Sequence, residues 1–127
     1  DMQFNNEFLE TYAPTSRFAA IRMIISIATQ ENLSLKHWDI SGAFMKANID
    51  TNIYMDLPQG YHLGPGKTIK LLKSLYGLRQ SPGLFHETLE EWLLNYGFKR
   101  VTDDCTIFKL TSNHESILLS LFVDDGL

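Results

Sequence analysis

Apolar positions spaced three and four residues apart predict a first helix near the start of the chain. Thr15 or Ser16 can serve as its N-cap, and the pattern continues to about Glu31. One stripe of this helix is apolar and should pack into a core; it contains Phe18, Ile21, Ile24, Ile25 and Ala28.

A second helix has clearer boundaries. Ser81 is the predicted N-cap, Pro82 takes the first helical position, and Gly97 ends the helix. Its predicted core face consists of Phe85, Leu89, Trp92, Leu93 and Tyr96.

Short β-rich runs fill the rest of the chain, at residues 33–40, 53–57, 69–72, 106–110 and 117–123. The second and third runs flank a turn at residues 64–66, and the last two flank a turn at residues 113–115, so each pair predicts a hairpin. The order of elements predicts an α+β fold in which an antiparallel sheet carries both helices on one face.

The chain ends in an apolar run followed by Asp124, Asp125 and Gly126. This ending predicts a buried strand and a tight turn in which Gly126 supplies the positive φ angle. The sequence begins with Asp1 and shows no strand returning from that turn, which would leave an unpaired edge. We therefore expect a fragment that is truncated at both ends.

Acidic residues end two of the β-like runs. Asp39 follows Trp38, and Asp124 follows Val123. If the two strands are neighbours, their carboxylates converge at one end of the sheet, where they could bind two Mg²⁺ ions for phosphoryl transfer. Asp124 is the first choice for direct ligation and Asp125 the second, because adjacent strand residues point to opposite faces.

Both acidic sites have simpler interpretations. Asp39 could cap a short helical turn at residues 41–46, and Asp124 with Asp125 could form an Asx-type turn. His37, two residues from Asp39, should share its face of the strand.

Composition limits the choice of protein class. The chain has 127 residues, 44% of them apolar, a single cysteine, and no apolar run of 18 residues, which predicts one domain or part of one, without a membrane span. The net charge is −4, yet residues 57–86 contain four basic and no acidic side chains. That stretch, with Lys67, Lys70, Lys73 and Arg79, could face phosphates or could simply be solvated.

Five segments together resemble the reverse transcriptases of copia-type long-terminal-repeat retrotransposons, in that family's order. They are residues 11–14 with Ile21 and Arg22, residues 38–44, residues 53–61, residues 72–82, and residues 122–125. The most specific are the run from Ser74 to Leu78 and the terminal Val-Asp-Asp.

The resemblance implies the palm and part of the fingers of a right-hand polymerase. Residues of about 15–46 and 85–127 would be palm, and residues of about 47–84 would be fingers. Asp39, Asp124 and Asp125 would be the catalytic, metal-binding carboxylates for two Mg²⁺ ions, with Mn²⁺ as a possible substitute.

Three further residues would bind the nucleotide. Phe44 would lie beneath the sugar and disfavour a ribose 2′-hydroxyl, Gln80 would contact the sugar, and Arg79 belongs to the basic fingers stretch. The alternative for Phe44 is a packing role in the core. The alternative for Gln80 is that of a polar residue at the entry to the helix.

The implied activity is RNA-directed DNA polymerisation with dNTP on a primed RNA or DNA template. The implied partners include the remaining polyprotein with its thumb and ribonuclease H regions, and no membrane. The implied location is intracellular, in a cytoplasmic virus-like particle and then in the nucleus. The chain differs from many relatives in having Phe122, Gly83 and Phe85 where they have Tyr, Arg and Trp.

An inactive transposon relic that binds nucleic acid or protein is the main alternative, and we expect the isolated chain to be inactive. A nucleotide cyclase is disfavoured, since its Gly-Gly-acidic-acidic-Phe turn is missing.

Overall fold

The computed structural model describes residues 13–127 except 63, 65, 102, 104, 113 and 114. The described helices are α1 (Phe18–Gln30), a short 3₁₀ helix (Ala43–Lys46) and α2 (Ser81–Tyr96). The described strands are β1 (Trp38–Asp39), β2 (Tyr54–Met55), β3 (Ile69–Lys70), β4 (Lys99–Arg100), β5 (Ile107–Ser112), β6 (Glu115–Phe122) and β7 (Asp125–Gly126). None of the helices among the described residues is long and apolar enough to span a membrane.

The strands form two antiparallel sheets. The larger has the order β1-β7-β6-β5-β4, and the smaller pairs β2 with β3. Both predicted hairpins are therefore confirmed, together with the α+β class. Pro65 of the first predicted turn, and Asn113 and His114 of the second, lie outside the described residues.

The end of the chain differs from the prediction. The chain does turn back, because Asp125 and Gly126 form β7 and pair with both β6 and β1. The run at residues 33–40, predicted as one strand, is a strand only at Trp38 and Asp39. The polar edge strand β4 was not predicted.

The predicted N-caps are wrong, because the serines bond elsewhere. Helix α1 begins at Phe18 with Arg17 as its N-cap. The Ser16 hydroxyl instead donates to the Thr106 carbonyl at 3.2 Å and accepts a hydrogen bond from Ser120 at 2.6 Å. Thr15 forms an isolated bridge with the end of β6.

The predicted N-cap of α2 is wrong for the same reason. Gln80 is the N-cap, and Ser81 is already helical. The buried Ser81 hydroxyl donates to the Leu75 carbonyl and accepts from the Ser74 hydroxyl, each at 2.5 Å. Gly97 ends the helix as predicted, with φ of 110° and its N–H on the carbonyls of the preceding turn.

One face of the larger sheet holds the main core under α2. Leu93 of the helix packs with Phe98, Phe108 and Leu121, and Trp38 borders this cluster. Ser120 points to the opposite face, since strand side chains alternate, and there it bonds Ser16 just before α1. The expectation that both helices lie on one face is therefore not supported, because α2 packs on one face and the residue before α1 bonds to the other.

The predicted core stripes are only partly buried. Within α1, Ile24 and Ala28 are buried whereas Phe18 is exposed. Within α2, Trp92 and Tyr96 are 58% and 64% exposed, and their rings stack on each other with centroids 5.4 Å apart. These two aromatics are therefore surface residues rather than core residues.

Candidate active site

The pairing of β1 with β7 brings the predicted acidic residues to one place. Asp39 lies directly opposite Asp125 in the antiparallel register, and the Ile40 amide donates to the Asp124 carbonyl at 3.0 Å. Opposite residues in such a pair project from the same face, with Cβ atoms roughly 4.5–5.5 Å apart. The expected convergence of the two strand ends is thus present, and the residue in register with Asp39 is Asp125 rather than Asp124.

The turn that places these carboxylates has an unexpected geometry. Val123, not Gly126, has the positive φ angle, at 59°. Gly126 is needed for another reason, because it lies against the Trp38 ring: a Cβ atom on Gly126 would stand 2.0 Å from Trp38 Cζ2. The close approach of this glycine and this indole fixes how β1 meets β7.

The two carboxylates of the turn have different neighbours. The Tyr76 hydroxyl lies 3.5 Å from Asp124 Oδ2, and His37 Nε2 lies 3.8 Å from Asp125 Oδ1. His37 therefore shares the face of Asp39 and Asp125, as predicted, while Asp124 is directed towards the connection that precedes α2. Within the described part of the chain, no group of three or more His, Cys, Asp or Glu side chains is arranged to hold one metal ion.

The simpler interpretation of Asp39 is wrong. The 3₁₀ helix has Gly42 as its N-cap, with left-handed backbone and no side-chain cap. Asp39 belongs to β1 and is exposed, so its carboxylate remains accessible to solvent and to ions.

Phe44 lies beside this site but is largely covered. It is 8% exposed and packs with Ala43, Ala47 and Phe85. The Tyr76 ring lies against it, with centroids 4.5 Å apart and planes tilted by 46°. Tyr76 thus stands next to both Phe44 and the acidic turn, although sequence reasoning gave it no role of its own.

The remaining predicted nucleotide contacts lie at the entry to α2. Gln80 is half-buried, and its carbonyl accepts the Leu84 amide as the helix begins. Arg79 is exposed beside it. The lysines of the predicted basic stretch are also exposed, and the Lys73 ammonium group donates to the Lys46 carbonyl at 3.2 Å.

Facing carboxylates are chemically suited to a hard divalent cation. Mg²⁺ in proteins is commonly held by one or two carboxylates, and waters and substrate phosphates complete its octahedron. Asp39 and Asp125 supply such an oxygen pair, with Asp124 next in the chain. The residues present therefore fit a cation that binds together with a phosphate-bearing substrate.

Comparisons with known proteins agree with the motifs. The family described as "Reverse transcriptase (RNA-dependent DNA polymerase)" matches residues 2–127. The chain is 33% identical over 124 residues to the retrovirus-related Pol polyprotein from transposon TNT 1-94 of Nicotiana tabacum, covering 95% of this chain and 9% of that protein. It is 28% identical over 121 residues to the Pol polyprotein from transposon RE1 of Arabidopsis thaliana, covering 94% and 8%.

A yeast relative extends the comparison. The transposon Ty1-ER2 Gag-Pol polyprotein of Saccharomyces cerevisiae is 34% identical over 123 residues, covering 91% of this chain and 7% of that protein. The chain thus spans less than a tenth of the length of these relatives, and no solved structure matches it. The resemblance to copia-type transposon proteins is confirmed, and the chain belongs to the reverse transcriptase (RNA-dependent DNA polymerase) family.

Proposed function

We propose that the chain forms the palm and part of the fingers of a retrotransposon reverse transcriptase. Residues of about 15–46 and 85–127 make up the palm, and residues of about 47–84 belong to the fingers. The observation that carries this proposal is the register of β1 and β7, which sets Asp39 opposite Asp125 beside the Asp124 turn. The separate β2–β3 sheet supports the division into two parts.

Asp39, Asp125 and Asp124 are the residues that would hold divalent cations, on which the family generally depends. Two such cations, Mg²⁺ or Mn²⁺, would supply Lewis acidity at the primer 3′-hydroxyl and at the α-phosphate of the dNTP. The chain's own contribution is placement. The pairing of β1 with β7 fixes two of the carboxylates on one face, where they would hold the cations close to the triphosphate and the primer end.

The Phe44 ring and the entry to α2 would shape the nucleotide site. Phe44, backed by Ala43 and Phe85, has little freedom to move away from a sugar. A rigid wall at that position would exclude a 2′-hydroxyl and favour deoxynucleotides. Gln80 and Arg79, at the start of α2, would contact the nucleotide from the fingers side.

The partners follow from this function. They are a primed RNA or DNA template, dNTP and the remaining polyprotein, including thumb and ribonuclease H regions, within an intracellular particle. The exposed lysines of residues 57–86 would meet template phosphates, which makes their binding dependent on salt.

The direct test measures dNTP incorporation on a primed RNA template by a longer polyprotein segment that contains this chain. Asp39→Asn and Asp125→Asn should each abolish incorporation, while Asp103→Asn, at an exposed loop carboxylate, should preserve it. The isolated 127-residue chain should be inactive in the same assay. Unchanged incorporation by the Asp39 variant would refute the proposal, and a longer segment that binds the template but never incorporates dNTP would favour the inactive relic.

A further inference from the structure

Tyr76 contacts two parts of the candidate site, the Phe44 ring and the Asp124 carboxylate. Its ring packs on Phe44, at 4.5 Å between centroids, and its hydroxyl lies 3.5 Å from Asp124 Oδ2. The ring itself is 55% exposed, so it lines the open side of the site rather than filling the core.

The backbone just before Tyr76 is held by two hydrogen bonds, one to the start of α2 and one to Ala47. The Leu75 carbonyl accepts the Ser81 hydroxyl at 2.5 Å, and the Ser74 amide donates to the Ala47 carbonyl at 3.0 Å. Ser74 and Ser81 are fully buried. An exposed tyrosine on a backbone fixed in this way has few positions available, and its contact with Phe44 restricts the ring further.

We infer that Tyr76 is a positioning residue for the Asp124 carboxylate. The hydroxyl donates to Oδ2 and sets the rotamer of Asp124, which leaves Oδ1 to a cation. The observed 3.5 Å separation is long for an O–H···O bond, and such contacts in unliganded sites commonly shorten when the ligand binds. This inference rests on the proposed function, since it assigns a partner to one of the proposed metal-binding residues.

Tyr76 also links the two proposed regions. Tyr76 belongs to the connection between β3 and α2, in the proposed fingers, whereas Asp124 belongs to the proposed palm. The orientation of Asp124 is therefore tied to the side of the site that would receive the nucleotide. Partners that orient metal-binding groups typically change metal affinity by about 10–100-fold when they are removed.

The test measures the Mn²⁺ affinity of the chain by electron paramagnetic resonance, which reports the concentration of free Mn²⁺ during a titration. Tyr76→Phe removes the hydroxyl and keeps the ring on Phe44. It should weaken Mn²⁺ binding about tenfold and leave the urea midpoint of unfolding unchanged. Tyr54→Phe, at a tyrosine that is 58% exposed on β2, is the matched control and should bind Mn²⁺ like the wild type.

A double variant separates positioning from a merely structural effect. In an Asp124→Asn background, Tyr76→Phe should cause no further loss of Mn²⁺ affinity, because the group it orients is gone. Two results would overturn the role of Tyr76 but leave the proposed function standing. One is an equal loss of Mn²⁺ affinity in both backgrounds, and the other is Mn²⁺ binding by Tyr76→Phe as tight as that of the wild type. If Asp39→Asn, Asp125→Asn and Asp124→Asn all bind Mn²⁺ like the wild type, the proposed function loses its metal site, and the inference fails with it.

Discussion

Replacement of Gly126 by alanine tests the packing of Gly126 against Trp38, which accompanies the β1–β7 pairing that sets Asp39 opposite Asp125. The new Cβ atom would stand 2.0 Å from Trp38 Cζ2 and 2.2 Å from Trp38 Cε2. Ordinary carbon–carbon contacts need about 3.5–4.0 Å, so the ring or the strand must move by roughly 1.5 Å. The indole is rigid and borders the core cluster around Phe108 and Leu121, which leaves it little room to yield.

Overpacking of this kind typically costs about 1–3 kcal/mol, and we expect the upper end because the β1–β7 pairing must also shift. A loss of about 3 kcal/mol should lower the urea midpoint by roughly 1–2 M for a chain of this size. The assay is urea unfolding followed by far-ultraviolet circular dichroism. Ser116→Ala, at an exposed position on β6, is the control and should unfold like the wild type.

A second variant background tests whether the Trp38 ring is the group that Gly126→Ala displaces. With Trp38→Leu already present, Gly126→Ala should cost less than about 1 kcal/mol, because the clash partner is gone. A midpoint for Gly126→Ala within roughly 0.3 M of the wild type would show that the indole does not lie on Gly126. Equal costs in the two backgrounds would contradict the account in the same way.

Three other changes have definite expected outcomes. Trp92→Ala should lower the free energy of unfolding by at most about 1.5 kcal/mol, since this exposed ring loses only its stacking contact; chemical denaturation measures this. Ser74→Ala should cost about 1–3 kcal/mol, and the double variant with Ser81→Ala should cost less than the sum of the two single variants, again by denaturation. Partial burial tends to raise the pKa of Glu90, but the hydrogen bond from Arg100, among other contacts, brings this pKa below its usual 4.5. Because the folded-state pKa is depressed, the stabilisation is present above pH 4.5 and is lost as pH falls through the folded-state value. Arg100→Gln should therefore flatten the acid limb of a stability–pH profile, and an unchanged limb would contradict the assignment.

Elements with a strong local signal were predictable from sequence. The end of α2 at Gly97 could be predicted because glycine, which readily adopts left-handed backbone, follows an amphipathic run, and the structure confirms it. The hairpin of β5 and β6 needed only two apolar runs around a turn. These features depend on residues close together in the chain, so the sequence pattern was sufficient.

The N-caps were not predictable, because the same hydroxyl group can serve two purposes. Ser16 and Ser81 are typical N-cap residues, yet each is committed to a partner distant in sequence or in the preceding loop. A helix can start without a side-chain cap when tertiary packing stabilises it, as α1 does at Phe18. No local pattern reveals that a serine is needed elsewhere.

The side of α2 that faces the core was also misjudged. Phe85, Leu89 and Leu93 recur every four residues and border the buried clusters. Trp92 and Tyr96 lie within about 20° of Phe85 around the helix, so the apolar pattern predicted burial for them as well. In the structure, both rings are exposed and stack on each other instead of entering the core clusters.

The acidic site was partly predictable. The position of Asp39 and Asp124 after apolar runs indicated convergence, and the strand pairing agrees. The register that favours Asp125 depends on β7, a strand of two residues that no periodicity can reveal. Tyr76 reaches the site only through folding of the chain between β3 and α2, and its presence in a recognised motif was the one available signal.

Cation binding by Asp39, Asp124 and Asp125 together is tested most directly by the response of backbone amide signals to Mn²⁺ in a two-dimensional NMR spectrum. Substoichiometric Mn²⁺ broadens amides close to its binding site. The proposed function predicts that the signals of Asp39, Asp124 and Asp125 broaden together, and that Asp39→Asn suppresses the effect at the other two positions. Broadening of the Asp124 and Asp125 signals with Asp39 unaffected, or broadening centred on the exposed Glu87 of α2, would contradict it.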